Sequence, residues 1–247
     1  MTILIFFIAH WYLSLFSQTF FLHRYAAHKM VLMNAFWEKF FFIFTAATQG
    51  SSYLSPYVYG ILHRMHHAFA DEDGDPHSPK HSSNVFVMFV KTWKVYASIK
   101  NETIVIEPRF KKDVPHWHTF DRMAYHWITR LIWCALYTLF YLKFVPTGSG
   151  WMFFLLPFHF FMGPLHGVII NWFGHKTGYI NFKVSNTSVN LMPLDIFMMG
   201  EGYHNNHHQY PAKLNFGSRW FELDPSYPII VVMKWVGIVK TTAVSNS

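Results

Sequence analysis

The sequence predicts an all-α integral membrane protein with about three transmembrane helices, re-entrant or interfacial helices, and a helical cytoplasmic cap around a histidine-rich site. Of its 247 residues, 52% are hydrophobic and only 13% are charged, which leaves too little polar surface for a water-soluble globule. Long apolar runs alternate with short polar segments, and those segments hold most of the 17 histidines. The length suits a single domain, which we assign to residues 1–247.

Three apolar stretches are long enough to cross a bilayer. Residues 3–22 form a nearly uncharged run, about 30 Å long as a helix. This run has neither a basic start nor a small-residue cleavage site, so we do not expect a removable signal peptide. Residues 124–145 and 151–170 form the other two spans, and the "PTGSG" between them suits a helical hairpin.

Two further apolar segments are unsuited to a full crossing. Residues 36–62 are interrupted by Glu38, Lys39, Gln49 and Pro56, so we expect a re-entrant or interfacial helical segment there. The C-terminal "IIVVMKWVGIV" is too short to span and is expected at the interface or against the domain.

The distribution of basic residues predicts the orientation. Thirteen of the 20 lie between Arg24 and Arg130, six follow residue 170, and only Lys143 lies near the hairpin tip. Because cytoplasmic loops retain positive charge, the histidine-bearing segments should face the cytoplasm and the N-terminus should lie outside. No basic helix with interleaved aromatic residues is present, so we expect no nucleic-acid partner.

The histidines form four groups, "HRYAAH" at 23–28, "HRMHH" at 63–67, "NWFGH" at 171–175 and "HNNHH" at 204–208. In the second and fourth groups, spacings of three and four residues place the imidazoles on one helix face. The five-residue spacing in the first group works if the helix ends within it, and the four-residue spacing in the third again shares a face. The candidate metal ligands are therefore His23, His28, His63, His66, His67, Asn171, His175, His204, His207 and His208.

This ligand set predicts two metal ions. Cys134 is the only cysteine, so any metal must be held by nitrogen and oxygen. Imidazole suits iron, copper, zinc and nickel, and nine imidazoles are too many for one ion. Several acidic residues either accept the distal imidazole N–H groups or lie solvated in loops, namely Asp71, Glu72, Asp75, Asp195 and Glu201.

The other eight histidines are expected outside the ligand set. Helical rise places His10, His159 and His166 roughly 13 to 24 Å along their spans from the nearest group. His77 and His81 follow the second group in a loop rich in proline and glycine. The remaining three are expected at the surface or the interface, namely His116, His118 and His126.

The segments "HRYAAH", "HRMHHAFADEDGDPHSP", "NWFGH" and "GEGYHNNHH" resemble the membrane fatty acid desaturases, especially the Δ9 acyl-CoA type that includes stearoyl-CoA desaturase. The resemblance covers about residues 10–225 and implies a helical cap over a di-iron centre. It implies that the nine histidines bind iron and that Asn171 reaches iron through water. It also implies that O₂ and two electrons convert two methylenes of a saturated acyl chain into a cis double bond. The short chain resembles a bacterial form, which we expect in the inner membrane.

This chain departs from the family in two respects, and these limit which family properties can be assigned to it. Animal members have an additional N-terminal span, and they carry an Arg-Asp pair before the second box where this chain has Ile61 and Leu62. The carrier therefore stays open between CoA, which is preferred, acyl carrier protein and an intact lipid, and the substrate-binding residues are unassigned. The sequence has no haem-domain, flavin or ferredoxin motif, so we expect an external electron donor such as a ferredoxin or a cytochrome b5-type protein.

Other functions fit parts of the pattern. A membrane di-iron hydroxylase or acetylenase would use related histidine boxes. A metal transporter should place its ligands at mid-span, and a bis-histidine haem protein needs histidines that face each other across a bundle. Histidines gathered at one membrane boundary favour the desaturase over these last two.

Overall fold

The structure, a computed structural model, describes residues 1–242 and is mostly helical with little strand, which agrees with the all-α class. A two-stranded antiparallel pairing joins β1 (Val31–Leu32) to β2 (Lys240–Thr241). The α-helices are α1 (Thr2–Phe16), α2 (Ala35–Gln49), α3 (Pro56–Phe69), α4 (Val85–Lys100), α5 (Pro108–Lys111), α6 (His118–Ala124), α7 (Trp127–Phe144), α8 (Leu156–Phe160), α9 (Met162–Phe173), α10 (His204–Gln209) and α11 (Ser226–Trp235). Short 3₁₀ segments cover Gly50–Ser52, Pro79–His81 and Gly150–Leu155, and a π-helix covers Ser17–Ala27.

One helix of the described chain, Thr2–Ala27, is by itself long and apolar enough to cross a membrane. It corresponds to the first predicted span. Helix α7 forms where the second was expected, but it carries Arg130 and Lys143 and does not meet the same criterion. Length and composition therefore support one crossing, or two if the bent pair described next counts as one, and the count of three stays a prediction.

The third predicted span, residues 151–170, is broken. Gly150–Phe160 and Met162–Phe173 meet at an angle of 76°. Pro164 lies in the first turn of α9 and has no N–H to continue the hydrogen-bond ladder from α8. The N–H of Gly163 instead donates to Ser52 Oγ at 2.9 Å, which ties the bend to the turn after α2.

The π-helical continuation of α1 explains the five-residue spacing of the first histidine box. A π-helix bonds residue i to residue i+5, and the N–H of His28 donates to the carbonyl of His23 at 3.1 Å. The helix ends at Ala27, immediately before His28, as the spacing predicted. The two rings consequently lie on the same side, with centroids 4.9 Å apart.

Residues 36–62 form two helices joined by a turn. Asn34 Oδ1 caps α2 by accepting from the N–H of Trp37, and Ser55 Oγ caps α3 by accepting from Val58. Pro56 occupies the first turn of α3, where its missing N–H costs nothing. This arrangement returns the chain to the end of α1 and brings the second histidine box next to the first.

The largest apolar cluster joins the π-helix to the cap. Phe20 and Phe21 pack with Phe216 and with Ile230 of α11. The C-terminal segment therefore packs against the domain on one side, while Trp235 on the other side is 79% exposed. Residues 243–247 of the predicted domain lie outside the described residues.

We expect Gly50→Ala to destabilise the fold more than Gly148→Ala. Both glycines have positive φ, +52° and +83°, so both substitutions strain the backbone. A Cβ at Gly50 would also collide with the Tyr137 hydroxyl, whereas a Cβ at Gly148 meets no atom within 4 Å. The additional loss should be about 2 kcal/mol, seen as a lower melting temperature in detergent. Tyr137→Phe should recover part of it, and equal melting temperatures for the two alanine variants would contradict this packing.

Candidate metal centre and adjoining cavity

The nine candidate histidines lie in two adjoining groups. The first histidine group comprises His23, His28, His63, His67 and His207. The second histidine group comprises His66, His175, His204 and His208. Within each group the ligand atoms lie within 4.8 Å of one another, and either group could hold a metal ion. The groups are in contact, because the rings of His67 and His208 stack with centroids 4.5 Å apart.

The ring nitrogens within each group point at one another. In the first group, His207 Nε2 lies 2.9 Å from both His23 Nε2 and His67 Nε2. In the second, His204 Nε2 lies 3.0 Å from His175 Nε2 and 3.1 Å from His208 Nε2. Ligand nitrogens about 2.1 Å from one ion and at right angles to each other would lie about 3.0 Å apart.

Hydrogen bonding between the rings does not account for this spacing. A neutral imidazole nitrogen carries either one hydrogen or one lone pair. His207 Nε2 and His204 Nε2 each have two close nitrogen neighbours, and each can hydrogen-bond only one of them. A shared cation would satisfy all of these lone pairs at once, so the residues present fit a metal in each group.

Carboxylates lie beside the Nδ1 atoms of several histidine rings. His23 Nδ1 lies 2.7 Å from Glu201, and His66 Nδ1 lies 3.0 Å from both oxygens of Asp75. Asp71 lies 3.6 Å from His175 Nδ1. A carboxylate that accepts the Nδ1–H leaves the Nε2 lone pair free to face a metal.

The two other acids proposed for this role do not contact a candidate ligand within residues 1–242. Asp195 accepts from the backbone N–H groups of Met198 and Gly202, and burial raises its pKa to about 6. Glu72 is exposed in a turn. Sequence spacing could not distinguish these two acids from the three that contact histidines.

Glu201 connects the metal centre to a buried ion-pair network. Its carboxylate contacts Arg24 at 3.3 Å, and Arg24 in turn donates to Asp224 at 2.6 Å. Arg24 is fully buried and stacks on Phe216, with Cζ 3.7 Å from the ring centroid. Burial alone would raise the pKa of Glu201, but His23 and Arg24 outweigh it and the net pKa is lowered. Glu201 is therefore held as the anion that orients His23.

Burial keeps His63, His204 and His207 neutral. Desolvation, reinforced by neighbouring imidazoles, lowers the pKa of His63, His204 and His207 well below the usual 6.5. A protonated imidazole has no lone pair for a metal, and a lowered pKa removes that competition at neutral pH. Burial of the rings therefore favours metal binding, in addition to their geometry.

A cavity adjoins both histidine groups. His63 of the first group and His204 of the second line it, together with Asn171. Helix α9 forms one wall, and α4 contributes Phe89 and Trp93 opposite. The structure thus places Asn171, the one amide in the predicted set, in the same cavity wall as the histidines.

One histidine left out of the predicted set lies closer to the site than its loop sequence indicated. His77 is 3% exposed, its ring lies 4.2 Å from that of His66, and it lines the cavity. With His66 and Asp75 it forms a third group that could hold a metal ion. The "DPH" that follows the second box was the only sequence signal for it.

The histidines expected far from the site form separate contacts. His10 Nδ1 lies 2.5 Å from His159 Nδ1, and His159 Nε2 lies 2.8 Å from the Tyr141 hydroxyl. Neither histidine, nor His166, belongs to a metal-capable group in the part of the chain that the structure describes. His166 nevertheless lines the same cavity as Asn171.

Comparison with known proteins agrees with this site. The helical fold and the two adjoining histidine groups are those expected of a protein that binds a pair of metal ions. The fatty acid desaturase family model matches residues 1–231, and the chain belongs to that family. Homology to desaturases makes the protein an oxidoreductase of lipid metabolism.

Similar curated proteins carry Δ9 desaturase names. The chain is 27% identical to the Delta-9 desaturase-like 5 protein of Arabidopsis thaliana, over 90% of this chain and 70% of that protein. It is 25% identical to the sn-1 stearoyl-lipid 9-desaturase of Anabaena variabilis, over 89% and 77% of the two chains. It is 26% identical to the Delta-9 acyl-lipid desaturase 1 of Arabidopsis thaliana, over 87% and 67%.

We expect Glu201→Gln to weaken metal binding about ten- to a hundredfold. The neutral amide oxygen of Gln accepts the Nδ1–H of His23 more weakly than the carboxylate does, so the ring is held less firmly against the metal. Competition with a chelator, with metal content read by mass spectrometry, measures the change. The matched control is Glu107→Gln, which removes an exposed carboxylate paired only with Arg109. Equal metal retention by both variants, at equal melting temperature, would refute the role given to Glu201.

Proposed function

We propose that the protein is an O₂-dependent membrane fatty acyl desaturase that introduces a cis double bond, at the Δ9 position, by means of a histidine-held di-iron centre. The observation that carries the proposal is the convergence of nine imidazoles in two contacting groups beside a cavity. Membership of the fatty acid desaturase family supplies the reaction class.

Each histidine group would hold one iron ion. The first histidine group offers five nitrogens and the second offers four, and Asn171, which lines the adjoining cavity, would reach iron through water. Bound iron would supply the redox chemistry that activates O₂ and removes two hydrogens, which no side chain can do. The protein's own residues orient the rings, keep them neutral and exclude water. The overall reaction takes up two electrons and two protons and releases two waters.

The cavity suits an acyl chain. Its walls include Leu15, Leu62, Met88 and Ile170, and it reaches His63 and His204. A saturated chain makes no directional bonds, so apolar walls must fix which methylenes face the metal centre. We therefore propose that the chain lies along this cavity.

The carrier is proposed to be a lipid. Ile61 and Leu62, before the second box, are buried and apolar, so they offer no charged contact to a CoA head group. Two of the similar proteins are named for lipid-bound acyl substrates, and both names specify position 9. The sequence alone had favoured acyl-CoA, which remains the alternative carrier.

We propose an external electron donor of the ferredoxin or cytochrome b5 type. The formal net charge of +7 suits an acidic redox protein. We also propose a location in the bacterial inner membrane, and the distribution of basic residues supports placing the histidine groups on its cytoplasmic side.

Expression in a host with saturated lipids tests the reaction. We expect new cis double bonds in the host's acyl chains, located by mass spectrometry, and two non-haem irons per chain without a haem absorption band. An alcohol product would support a hydroxylase instead, and a triple bond an acetylenase.

His207→Ala should abolish the product and lose iron, because His207 Nε2 contacts two other rings of the first histidine group. Helix content and membrane insertion should be unchanged. The control is His118→Ala, which removes an exposed histidine whose ring contacts His116 and Arg122 and lies outside both histidine groups. Full activity in the His207 variant would count against the ligand assignment.

A further inference from the structure

Two cations enclose a tyrosine at the wall of the cavity. Lys100 Nζ lies 3.4 Å from the centroid of the Tyr125 ring, and Arg130 Cζ lies 4.1 Å from the same centroid. Tyr125 and Arg130 both line the cavity. Lys100 is exposed at the end of α4, so this pair of charges borders both the cavity and the solvent.

No acid neutralises these cations. Within residues 1–242, neither Lys100 nor Arg130 has a carboxylate within 4 Å. Glu102 lies two residues from Lys100 without pairing to it, and Asp121 is engaged by Tyr53 and Ser55. Partial burial first, and Arg130 second, lower the pKa of Lys100, so the two charges oppose each other. Such a pair is a site for an anion.

Arg130 is held in place but keeps free donors. Its guanidinium donates to the carbonyls of Ser51, Tyr53 and Tyr125 at 2.8 Å, 3.0 Å and 3.3 Å. These bonds use three of the five N–H groups of an arginine. Within residues 1–242 the other N–H groups have no protein acceptor, on a side chain that is already ordered.

The position along the cavity suits the polar end of an acyl substrate. Arg130 binds Ser51, and the neighbouring Ser52 binds the start of α9 at Gly163. Eight residues of helix separate Gly163 from Asn171, or about 12 Å. An extended chain advances about 1.2 Å per bond, so these 12 Å take up roughly ten bonds of the path from the polar end to the metal centre.

Two tryptophans mark this region as a membrane boundary. Trp93, which lines the cavity, is 55% exposed, and Trp127 at the start of α7 is 63% exposed. Exposed tryptophan and arginine at a helix end are typical of the level at which lipid phosphates lie. A basic residue at that level attracts anionic lipid.

We propose that Lys100 and Arg130, arranged around Tyr125, bind the phosphate of the acyl carrier and thereby set which methylenes reach the metal centre. This inference rests on the proposed desaturase function. Two carriers share the required chemistry, a glycerophospholipid and the soluble thioester acyl-CoA. The site fixes the polar end, and the cavity fixes the path of the chain.

A binding measurement tests the site independently of turnover. Native mass spectrometry of the iron-loaded full chain in detergent can give the Kd of 1-stearoyl phosphatidylglycerol, of stearoyl-CoA and of the uncharged 1-stearoylglycerol. We expect Lys100→Gln to raise the Kd of a phosphate-bearing probe about fivefold and to leave that of stearoylglycerol unchanged. Lys100→Arg should restore the affinity. The matched control is Lys94→Gln, which removes an exposed charge from the same helix.

The outcomes distinguish two questions: which carrier binds, and whether the site binds phosphate at all. A loss confined to phosphatidylglycerol supports a lipid carrier, and a loss confined to stearoyl-CoA supports the thioester. Unchanged Kd values for both phosphate probes, or an equal rise for stearoylglycerol, would overturn the proposal. Phosphate binding without any double bond in expressing cells would instead contradict the desaturase function.

Discussion

Crowding nine imidazole nitrogens at separations near 3 Å is the constraint on which the rest of the structure depends. Buried polar groups are costly unless they are paired, and several of these nitrogens have more neighbours than they can hydrogen-bond. The surrounding fold must therefore hold the rings in place, and it does so with carboxylates. The Glu201–Arg24–Asp224 chain fixes His23 from one side, and Asp75 fixes His66 from the other.

The same constraint explains where the helices end. The π-helical turn before His28 and the packing of α3 against it bring the first two boxes together. Helix α9 ends just before His175, and α10 carries the fourth box back across it. The apolar cluster of Phe20, Phe21 and Phe216 locks the end of α1 to the cap. The histidine groups and the adjoining cavity consequently share one boundary between apolar and polar parts of the chain.

The sequence predicted the helical class and the shared helix face within each histidine box because both follow from local periodicity. Spacings of three and four residues in a helix determine which side chains share a face, as in His63, His66 and His67. The division of the nine histidines into five and four was not predictable, since it depends on how four distant segments pack. The fully buried Arg24 was missed for the same reason, because Glu201 and Asp224 lie 177 and 200 residues away in the chain.

The broken third span shows a different limit. Hydropathy averages over a window and is insensitive to a single missing N–H, so Pro164 did not interrupt the apolar run from 151 to 170. In the structure that proline separates α8 from α9, and the resulting bend lets Gly163 bond to Ser52. The position of His77 was also not predicted, because a loop rich in proline and glycine gave no reason to place its ring beside that of His66.

Anomalous X-ray diffraction from crystals of the iron-loaded protein, recorded on both sides of the iron absorption edge, tests the central claim most directly. We predict two iron peaks, one enclosed by the first histidine group and one by the second. A single peak, or iron bound away from these nine rings, would contradict it.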